Sequence, residues 1–443
     1  MNGDLIAQMS RALDQIQPQR PVGRIDEIAA GTCRIAGLAG QVALGDRIAM
    51  IGQGGGGEIV RLTREHAYMM ADGATTGLKA GDPVALMRQT EFAPHESWIG
   101  RVIDPDGEPL DGRPILPGFA GQPVQNRPPA ARRRKPLGAR LETGLAVFNT
   151  LLPLVHGQRI GLFAGSGVGK STLLADLARG VAADVIVIAL VGERGREVRH
   201  FVEDVLGAEG MKRAVVVAAT SDQAPHVRRR CAWAAMAVAE HFRDAGRSVM
   251  LFVDSVTRFC EAHREVAVAG GETAALRGFP ASTGPAVASL CERAGPGVDG
   301  TGDITAVFSV LVAGSDMEEP VADMLRGVLD GHIVLDRAIA ERGRFPAIDL
   351  LRSVSRSLPV AANAAENAAI SQCRKLLGDY EKAEMMIQAG LYEKGTDPAI
   401  DAAIACEPAL DRFMSVKDQR GTNAHFAVLR QALAAAETSR ASG

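Results

Sequence analysis

A glycine-rich segment that runs into a lysine and two hydroxyl residues is the clearest sign of chemistry in the sequence. It follows an apolar stretch, 159–163, and consists of Ala164, Gly165, Ser166, Gly167, Val168, Gly169, Lys170, Ser171 and Thr172. Glycines at alternate positions let backbone N–H groups turn towards phosphate oxygens, and a following helix adds its positive N-terminal end. Lys170 can reach β- and γ-phosphates, and Ser171 can ligate Mg²⁺. The segment predicts a phosphate-binding loop. Ala164 replaces the first glycine of the G-x-x-x-x-G-K-[ST] pattern, and its methyl group is tolerated there if φ is negative.

Two carboxylates follow other strand-like stretches. Asp254 ends the apolar run 248–254, which places it at the carboxyl edge of a sheet, where open α/β sheets bind ligands. A carboxylate at that edge can hold Mg²⁺ through water. Glu193 lies in the segment 191–197, at the end of the next strand after the loop, where it can orient and polarise an attacking water. Taken alone, that segment also fits a surface loop of mixed charge.

An arginine near the end of the apolar core has two open interpretations. Arg356 lies in the run 353–357, at the junction with a helical segment. Its guanidinium can form an ordinary ion pair with a carboxylate of the same chain. It can also act as an arginine finger on the nucleotide of a neighbouring chain.

These side chains need a sheet whose strand ends meet at one edge. From 157 to 336, strand-like and helix-like segments alternate, which predicts an α/β, doubly wound core. Unbroken aliphatic runs indicate parallel strands covered on both faces. The predicted strands are 159–164, 184–191, 214–219, 249–254 and 304–313, and the helices between them include 171–182 and 226–244.

The flanking segments differ in pattern from this core. Short apolar stretches between turns at 22–87 predict a small antiparallel β-barrel, with Gly54–Gly57 as a flexible hairpin tip. Residues 93–136 are rich in turns and end in the basic run 132–135, which fits a solvated linker or a contact with acidic lipid or a partner. Residues 2–17 fit one amphipathic helix, either a frayed terminus or a docking helix for a partner. The chain after 357 is alanine-rich and predicted to be helical.

Composition excludes several classes of protein. The 443 residues are 47% hydrophobic and 23% charged, which fits neither a disordered chain nor a fibre. The net charge of −3 and the absence of a basic domain argue against nucleic acid as a partner. No apolar run approaches the ~20 residues of a spanning helix, and the six cysteines form no CxxC pair. These features predict a cytoplasmic protein with reduced thiols.

The motifs together resemble a known family. The segments LFAGSGVGKSTLL, LVGERGREVR, MLFVDSVTRF, RGVLDGHIVLDR and RFPAIDLLRSVSR are similar to those of the catalytic subunits of F-type and V-type rotary ATPases. The resemblance is closer to the flagellum-specific ATPase of the type III protein export apparatus. It extends over about residues 20–415.

The resemblance implies an architecture and a set of partners. It implies a RecA-like P-loop core with an N-terminal β-barrel and a C-terminal helical domain. The boundaries expected from it are 1–18 for a partner-binding helix, 19–92 for the barrel, 93–357 for the ATPase domain and 358–443 for the helical domain. It also implies a homohexamer with ATP between subunits, peripherally associated with an inner-membrane export gate. A negative-regulator or stator subunit, a central stalk subunit, and export substrates with their chaperones are the implied partners.

The resemblance also implies roles for individual residues around ATP and Mg²⁺. It assigns Glu193 as general base with Arg194 as its neighbour. It assigns Glu197 and Asp254 to magnesium-bound waters, beside the loop residues Lys170 and Ser171.

Three further residues receive roles from the same resemblance. Arg258 matches a basic residue near the γ-phosphate, and Arg356 matches the arginine finger. Phe345 falls where the family packs an aromatic ring on adenine, a position at which tyrosine is frequent in the rotary subunits.

Four other interpretations remain beside flagellar export. The injectisome ATPases of type III secretion share these motifs. A proton-translocating ATP synthase subunit is disfavoured, since it typically has threonine after Lys170 and a GERTREG run near Glu193. A non-catalytic ring subunit is disfavoured because such paralogues commonly lack the Glu193 carboxylate. A hexameric RNA translocase would need a basic or aromatic cluster in the barrel, and 22–87 shows none.

Overall fold

The computed structural model describes residues 19–29, 31–52, 54–87, 92–274, 278–312 and 317–441. The amphipathic helix predicted for 2–17 lies outside the described residues. Among the helices that are described, none has the length and hydropathy to cross a bilayer.

The first part of the fold is a closed six-stranded antiparallel barrel, as the turn pattern predicts. Its strands follow the spatial order β1-β2-β5-β4-β3-β6. Alternate residues such as Ile25, Ile35 and Met69 point inward and form a small separate core. The strands are β1 (Val22–Ala29), β2 (Thr32–Ala36), β3 (Arg47–Met50), β4 (Gly56–Leu62), β5 (His66–Ala71) and β6 (Pro83–Leu86).

The tetraglycine run of the barrel is only partly a hairpin tip. Gly54 and Gly55 adopt φ of +70° and +80°, which suits a tight turn. Gly56 and Gly57 instead belong to β4, and both are buried. A methyl group at Gly57 would lie 2.2 Å from the carbonyl oxygen of Met70, so no side chain fits there. The prediction of a flexible tip is therefore wrong for these two glycines, because close strand pairing is what requires them.

The central sheet has nine strands. Its main path runs β15-β14-β8-β13-β11-β9-β10-β7, with β12 beside β13. All pairs along this path are parallel except β14 with β15. The five predicted core strands are present within two residues of their predicted ends. The strands are β7 (Arg101–Ile103), β8 (Arg159–Ala164), β9 (Val185–Glu193), β10 (Ala214–Thr220), β11 (Ser248–Asp254), β12 (Gly295–Pro296), β13 (Asp303–Leu311), β14 (Gly331–Leu335) and β15 (Ile348–Ser355).

Helices cover both faces of this sheet. Strand β9 shows the consequence: Ile186 and Ile188 belong to one core, whereas Val185 and Val187 belong to the other. Successive side chains of a strand point to opposite faces, so a strand buried on both faces is continuously apolar. The helices are α1 (Ala146–Asn149), α2 (Lys170–Gly180), α3 (Gly195–His200), α4 (Gly207–Met211), α5 (Pro225–Asp244), α6 (Val256–Ala269), α7 (Thr283–Arg293), α8 (Pro320–Val328), α9 (Arg337–Glu341), α10 (Ala364–Gln388), α11 (Pro398–Met414) and α12 (Thr422–Ala441).

The last three helices pack on one face of the sheet. Their apolar residues, including Cys373, Leu410 and Phe426, join the core that also contains α2. The side chain of Asn363 accepts from the backbone N–H of Glu366, which caps α10 at its start. The predicted helical C-terminal region is therefore present, and it is anchored to the α/β core.

The basic run 132–135 is not a uniformly solvated linker. Arg132 and Arg133 are exposed. In contrast, Arg134 forms an ion pair with Glu292, and Lys135 donates to the carbonyl of Thr301 at 2.8 Å. The second half of the run therefore fastens the connector to the α/β core.

Candidate nucleotide-binding site

A cavity of about 900 Å³ opens at the carboxyl edge of the central sheet. The loop between β8 and α2 forms one wall, and the ends of β9, β11 and β13 form another. Most of the predicted site residues meet here: the whole segment 164–172, together with Glu193, Arg194, Glu197, Asp254 and Arg258. Phe345 and Arg356 are not among the lining residues.

The glycine-rich loop has the backbone that phosphate binding requires. Gly167 and Gly169 adopt φ of +77° and +86°, a region that side chains disfavour. Lys170 begins α2 directly after Gly169, so the positive end of an eleven-residue helix faces the cavity. Ala164 is fully buried at the end of β8, and its carbonyl accepts from the backbone N–H of Val312 at 3.1 Å. The alanine is therefore part of the strand and leaves the loop geometry intact.

Lys170 and Asp254 are paired across the cavity floor. The Lys170 ammonium donates to Oδ1 of Asp254, and Ser309 Oγ donates to the same oxygen at 2.6 Å. Asp254 is almost fully buried. A buried carboxylate needs such partners, because an unpaired buried charge is costly. The pair holds the lysine at the mouth of the glycine-rich loop.

Glu193 lies at the end of β9, between another carboxylate and an arginine. Arg258 approaches both Glu193 oxygens at 3.4 Å and donates to the carbonyl of Gly192 at 2.7 Å. Burial, the hydrogen bond with Glu197 and the nearby charge of Asp254 raise the pKa of Glu193 to about 7. A carboxyl group with a pKa near neutrality is well matched to accept a proton from water.

Glu197 and Arg194 stand on the more exposed side of the cavity. The hydrogen bond with Glu193 and the charge of Arg194 lower the pKa of Glu197 below its usual value. Arg194 donates to Glu197 Oε1 at 3.1 Å and is itself largely exposed. Of the two adjacent carboxyl groups, Glu197 is therefore the one that stays ionised.

Phe345 lies just outside the cavity lining, against the loop. A methyl group built on Gly169 would be 3.2 Å from two ring carbons of Phe345. The side chain is 43% exposed, so one part of the ring is open to a ligand. Its position beside the loop suits an aromatic surface for a base.

Arg356 lies at the opposite edge of the sheet. Strand β15 is antiparallel to β14, so Ile348 pairs at the cavity edge and Ser355 pairs with Gly331 at the far edge. Arg356 donates to the carbonyls of Leu329 and Arg326 at 3.1 and 3.4 Å. Five steps of about 3.3 Å separate the ends of the neighbouring strand β8, so the two edges are ~16 Å apart. An arginine side chain cannot reach its own chain's cavity across that distance.

Sequence reasoning missed several residues of the site, three of which carry polar groups important to its geometry. Ser309 holds Asp254, and Glu319 and Arg337 line the cavity. Ser309 is marked in the sequence only as a hydroxyl residue between apolar neighbours in β13. Arg337 follows β14 at the same edge, but locating it required knowing that β14 is parallel to β8.

The donors at this edge fit Mg²⁺ bound together with phosphates. Ser171 presents a hydroxyl group, and Asp254 and Glu197 present carboxylates. Magnesium favours oxygen ligands and usually binds through one or two protein groups, waters and substrate phosphates. Within the described part of the chain, no group of three or more His, Cys, Asp or Glu residues could hold a metal unaided.

Comparison with protein families matches two consecutive regions. Residues 144–355 match the ATP synthase alpha/beta family, nucleotide-binding domain. Residues 362–435 match the T3SS EscN ATPase C-terminal domain. The first region contains the whole cavity described above.

Individual proteins match over nearly the whole chain. A flagellum-specific ATP synthase of Caulobacter vibrioides is 40% identical over 422 residues, 93% of this chain and 95% of that protein. A flagellum-specific ATP synthase of Agrobacterium fabrum is 42% identical over 421 residues, 93% of this chain and 88% of that protein. A type 3 secretion system ATPase of Xanthomonas euvesicatoria is 39% identical over 412 residues, 92% of each chain.

A solved structure has the same fold. The assembled ATPase EscN from the type III secretion system of enteropathogenic E. coli superposes with a TM-score of 0.86 at 34% identity, over 93% of this chain and all of that chain. The structure of assembled EscN with its central stalk EscO gives a TM-score of 0.84 at 33% identity, with the same coverage.

Proposed function

The chain belongs to the family of P-loop ATPases that comprises flagellum-specific and type III secretion ATPases, and from that premise we propose that it hydrolyses ATP, with Mg²⁺, in a ring that energises export of flagellar proteins. The observation that carries the proposal is the cavity at the carboxyl edge, where Lys170, Asp254 and Glu193 meet. The reaction is ATP plus water to ADP plus phosphate.

The glycine-rich loop and Lys170 bind the phosphates. Backbone N–H groups and the start of α2 face the β-phosphate, and the Lys170 ammonium neutralises charge on the β- and γ-oxygens. Its present partner, Asp254, keeps the ammonium in place until the phosphates arrive. Ser171, Asp254 and Glu197 would hold Mg²⁺, which when bound supplies further neutralisation of phosphate charge.

Glu193 acts as the base that orients and activates water. Its raised pKa allows it to accept a proton near neutral pH, and the ion pair with Arg258 fixes its orientation. Arg194 lies beside Glu193 and acts through Glu197, to which it donates. Phe345 provides a surface for the adenine ring.

Arg356 acts on the nucleotide of a neighbouring chain. Its own cavity is out of reach, so a finger at this position must work across a subunit boundary. A fixed guanidinium there stabilises charge on the γ-phosphate in the transition state. This role requires that copies of the chain lie side by side, and we propose that they form a homohexamer.

The partners follow from the same family membership. A central stalk that fits the ring, as EscO does in assembled EscN, is one proposed partner. A negative-regulator or stator subunit, export substrates and their chaperones are others, with the ring peripherally attached to a membrane export gate. An injectisome is the second candidate system, because a type 3 secretion ATPase is 39% identical, almost as similar as the flagellar relatives.

The activity is tested on the purified chain. We expect ATP hydrolysis that requires Mg²⁺ and is lost on chelation, and we expect Lys170→Ala to lose both turnover and tight ATP binding. Lys212→Ala is the matched control, because Lys212 pairs with Glu209 on the exposed surface. Unchanged ATP affinity in Lys170→Ala would contradict the phosphate-binding assignment.

The system is tested in the native cell. Deletion of the gene should abolish swimming, and the wild-type gene, but not Lys170→Ala, should restore it. If motility survives deletion while secretion of effector proteins is lost, the injectisome alternative is correct.

A further inference from the structure

We propose that Arg228 is a positioning residue for the Glu193 loop, which is the end of β9 at Gly192 and Glu193. The inference rests on the proposed function, because it concerns the residue assigned as the base. Arg228 lies in the first turn of α5 and does not line the nucleotide cavity. It acts on the loop from behind, through packing and an ion pair.

The end of β9 packs against two arginine side chains. Gly192 has a φ of +66°, and a methyl group built on it would lie 3.4 Å from Cδ of both Arg228 and Arg258. Arg258 adds a hydrogen bond to the Gly192 carbonyl at 2.7 Å. The backbone immediately before Glu193 is therefore packed against two arginine side chains, of which Arg258 lines the cavity and Arg228 does not.

The far end of Arg228 is fixed by the turn before α5 and by a carboxylate of α6. Its Nε donates to the carbonyl of Gln223 at 3.0 Å, next to the start of α5. Its Nη2 donates to both carboxylate oxygens of Glu265, on α6, at 3.0 and 3.1 Å. The Arg228 side chain is 16% exposed, whereas that of its partner Glu265 is 45% exposed. A side chain held at both ends can define the position of the backbone packed against its middle.

Charge explains why Arg228 needs its own carboxylate. Arg258 and Glu265 are seven residues apart on α6, which places them on the same helix face. Two guanidinium groups beside one glycine repel each other, and Glu265 compensates the charge of Arg228. Arg258 is then left to face Glu193, with which it forms its own ion pair. Loss of Glu265 would leave Arg228 free to compete for the carboxylates of the cavity.

The next two residues of α5 provide matched controls. Arg229 pairs with Glu58 of the barrel at 3.0 Å, and Arg230 pairs with Asp106 of the connector at 2.8 Å. Three consecutive arginines thus hold three different parts of the molecule. Arg230 is the better control, because its side chain is 22% exposed, similar to that of Arg228, and its pair lies away from the cavity.

The test measures turnover and nucleotide affinity separately. In Arg228→Gln we expect kcat to fall roughly tenfold to a hundredfold, the size of effect that a misplaced reacting group produces. The Kd for ATP, from equilibrium titration with the complete chain, should stay within about twofold, because Arg228 does not line the cavity. Arg228→Lys keeps the stem and charge but loses the paired hydrogen bonds, so it should recover part of kcat. Glu265→Gln should lower kcat in the same direction.

Arg230→Gln and Glu193→Gln complete the experiment. Arg230→Gln should keep normal kcat, and all variants should show wild-type melting temperature and oligomeric state. If Arg228→Gln turns over normally while Glu193→Gln is inactive, the positioning role is wrong and the proposed function stands. If ATP affinity falls in step with kcat, Arg228 contributes to binding and the inference is overturned. If Glu193→Gln turns over normally, the base itself is wrongly assigned, and both proposals fall.

Discussion

The charged side chains at the two edges of the central sheet have different kinds of partner. At the carboxyl edge, charged groups are paired within the chain, Lys170 with Asp254 and Arg258 with Glu193. At the opposite edge, Arg356 donates to backbone carbonyls at the end of α8. A chain that carries a binding site at one edge and, at the other, an arginine held by backbone carbonyls is suited to head-to-tail assembly, in which one copy completes the site of the next.

Mixed rings give the largest expected effect and test the comparison directly. Arg356→Ala should lower kcat by about 10³–10⁵, the range of arginine fingers elsewhere. Glu193→Gln has an intact finger but no base. In rings that contain both variants, a Glu193→Gln chain can place its Arg356 at the intact cavity of a neighbouring Arg356→Ala chain. Activity should therefore peak at intermediate mixing ratios.

Mass spectrometry should verify that such rings contain both variants. Activity that never exceeds the sum of the two parents would mean that Arg356 works within its own chain or is only structural. Arg337→Ala is not a suitable control here because Arg337 lines the cavity. Arg352→Ala is suitable, because it alters an exposed arginine of β15, the strand that ends just before Arg356.

Loss of the Glu193 carboxylate should lower kcat and leave the affinity for ATP unchanged. Glu193→Gln keeps the shape of the side chain, but an amide cannot accept the proton from water. We expect kcat to fall by about 10²–10⁴, the usual contribution of a general base, with near-normal ATP affinity. Single-turnover hydrolysis and equilibrium titration separate the two quantities. Near-normal kcat would refute the assignment.

Loss of the Phe345 ring should weaken ATP binding more than it lowers kcat. Its ring packs beside Gly169 and is partly exposed, so it can stack on a base. Stacking of a base on an aromatic side chain contributes about 1–3 kcal/mol, which corresponds to roughly a tenfold to hundredfold rise in Kd for Phe345→Ala. Phe345→Tyr keeps the ring and serves as the control. Equal ATP affinity in all three proteins would exclude stacking.

A substitution at the far edge of the sheet should lower the free energy of unfolding and leave the affinity for ATP unchanged. Asp330 accepts from the Arg159 guanidinium at 3.1 and 3.2 Å, and its backbone carbonyl accepts from the Arg356 N–H at 3.0 Å. Asp330→Asn removes the charge from this pair and should lower the free energy of unfolding by about 1–2 kcal/mol. Asp323→Asn, in an exposed pair, should change it by less than about 0.5 kcal/mol. Denaturant titration provides both values, and a marked loss of ATP affinity in Asp330→Asn would contradict the separation of the two edges.

Much of the cavity could be predicted from local patterns. The phosphate-binding loop depends on glycines, a lysine and a hydroxyl in consecutive positions, and Asp254 and Glu193 end aliphatic runs. In a parallel sheet, the carboxyl ends of strands share an edge, so residues far apart in sequence could be assigned to one site. Local patterns did not predict the roles of Gly56, Gly57 and Arg134, because these roles depend on partners that are distant in the chain.

By itself, the sequence determined five strands of the central sheet, the barrel, the loop at 164–172 and the carboxylates that face it, because each of these follows from neighbouring residues or from the common direction of parallel strands. Tertiary structure alone decided where Arg356 lies, since the last strand reverses direction and carries it to the far edge. It also decided that Ser309 meets Asp254 and that Arg228 packs against Gly192. Such contacts depend on which strands and helices become neighbours in space, and no spacing along the chain encodes them.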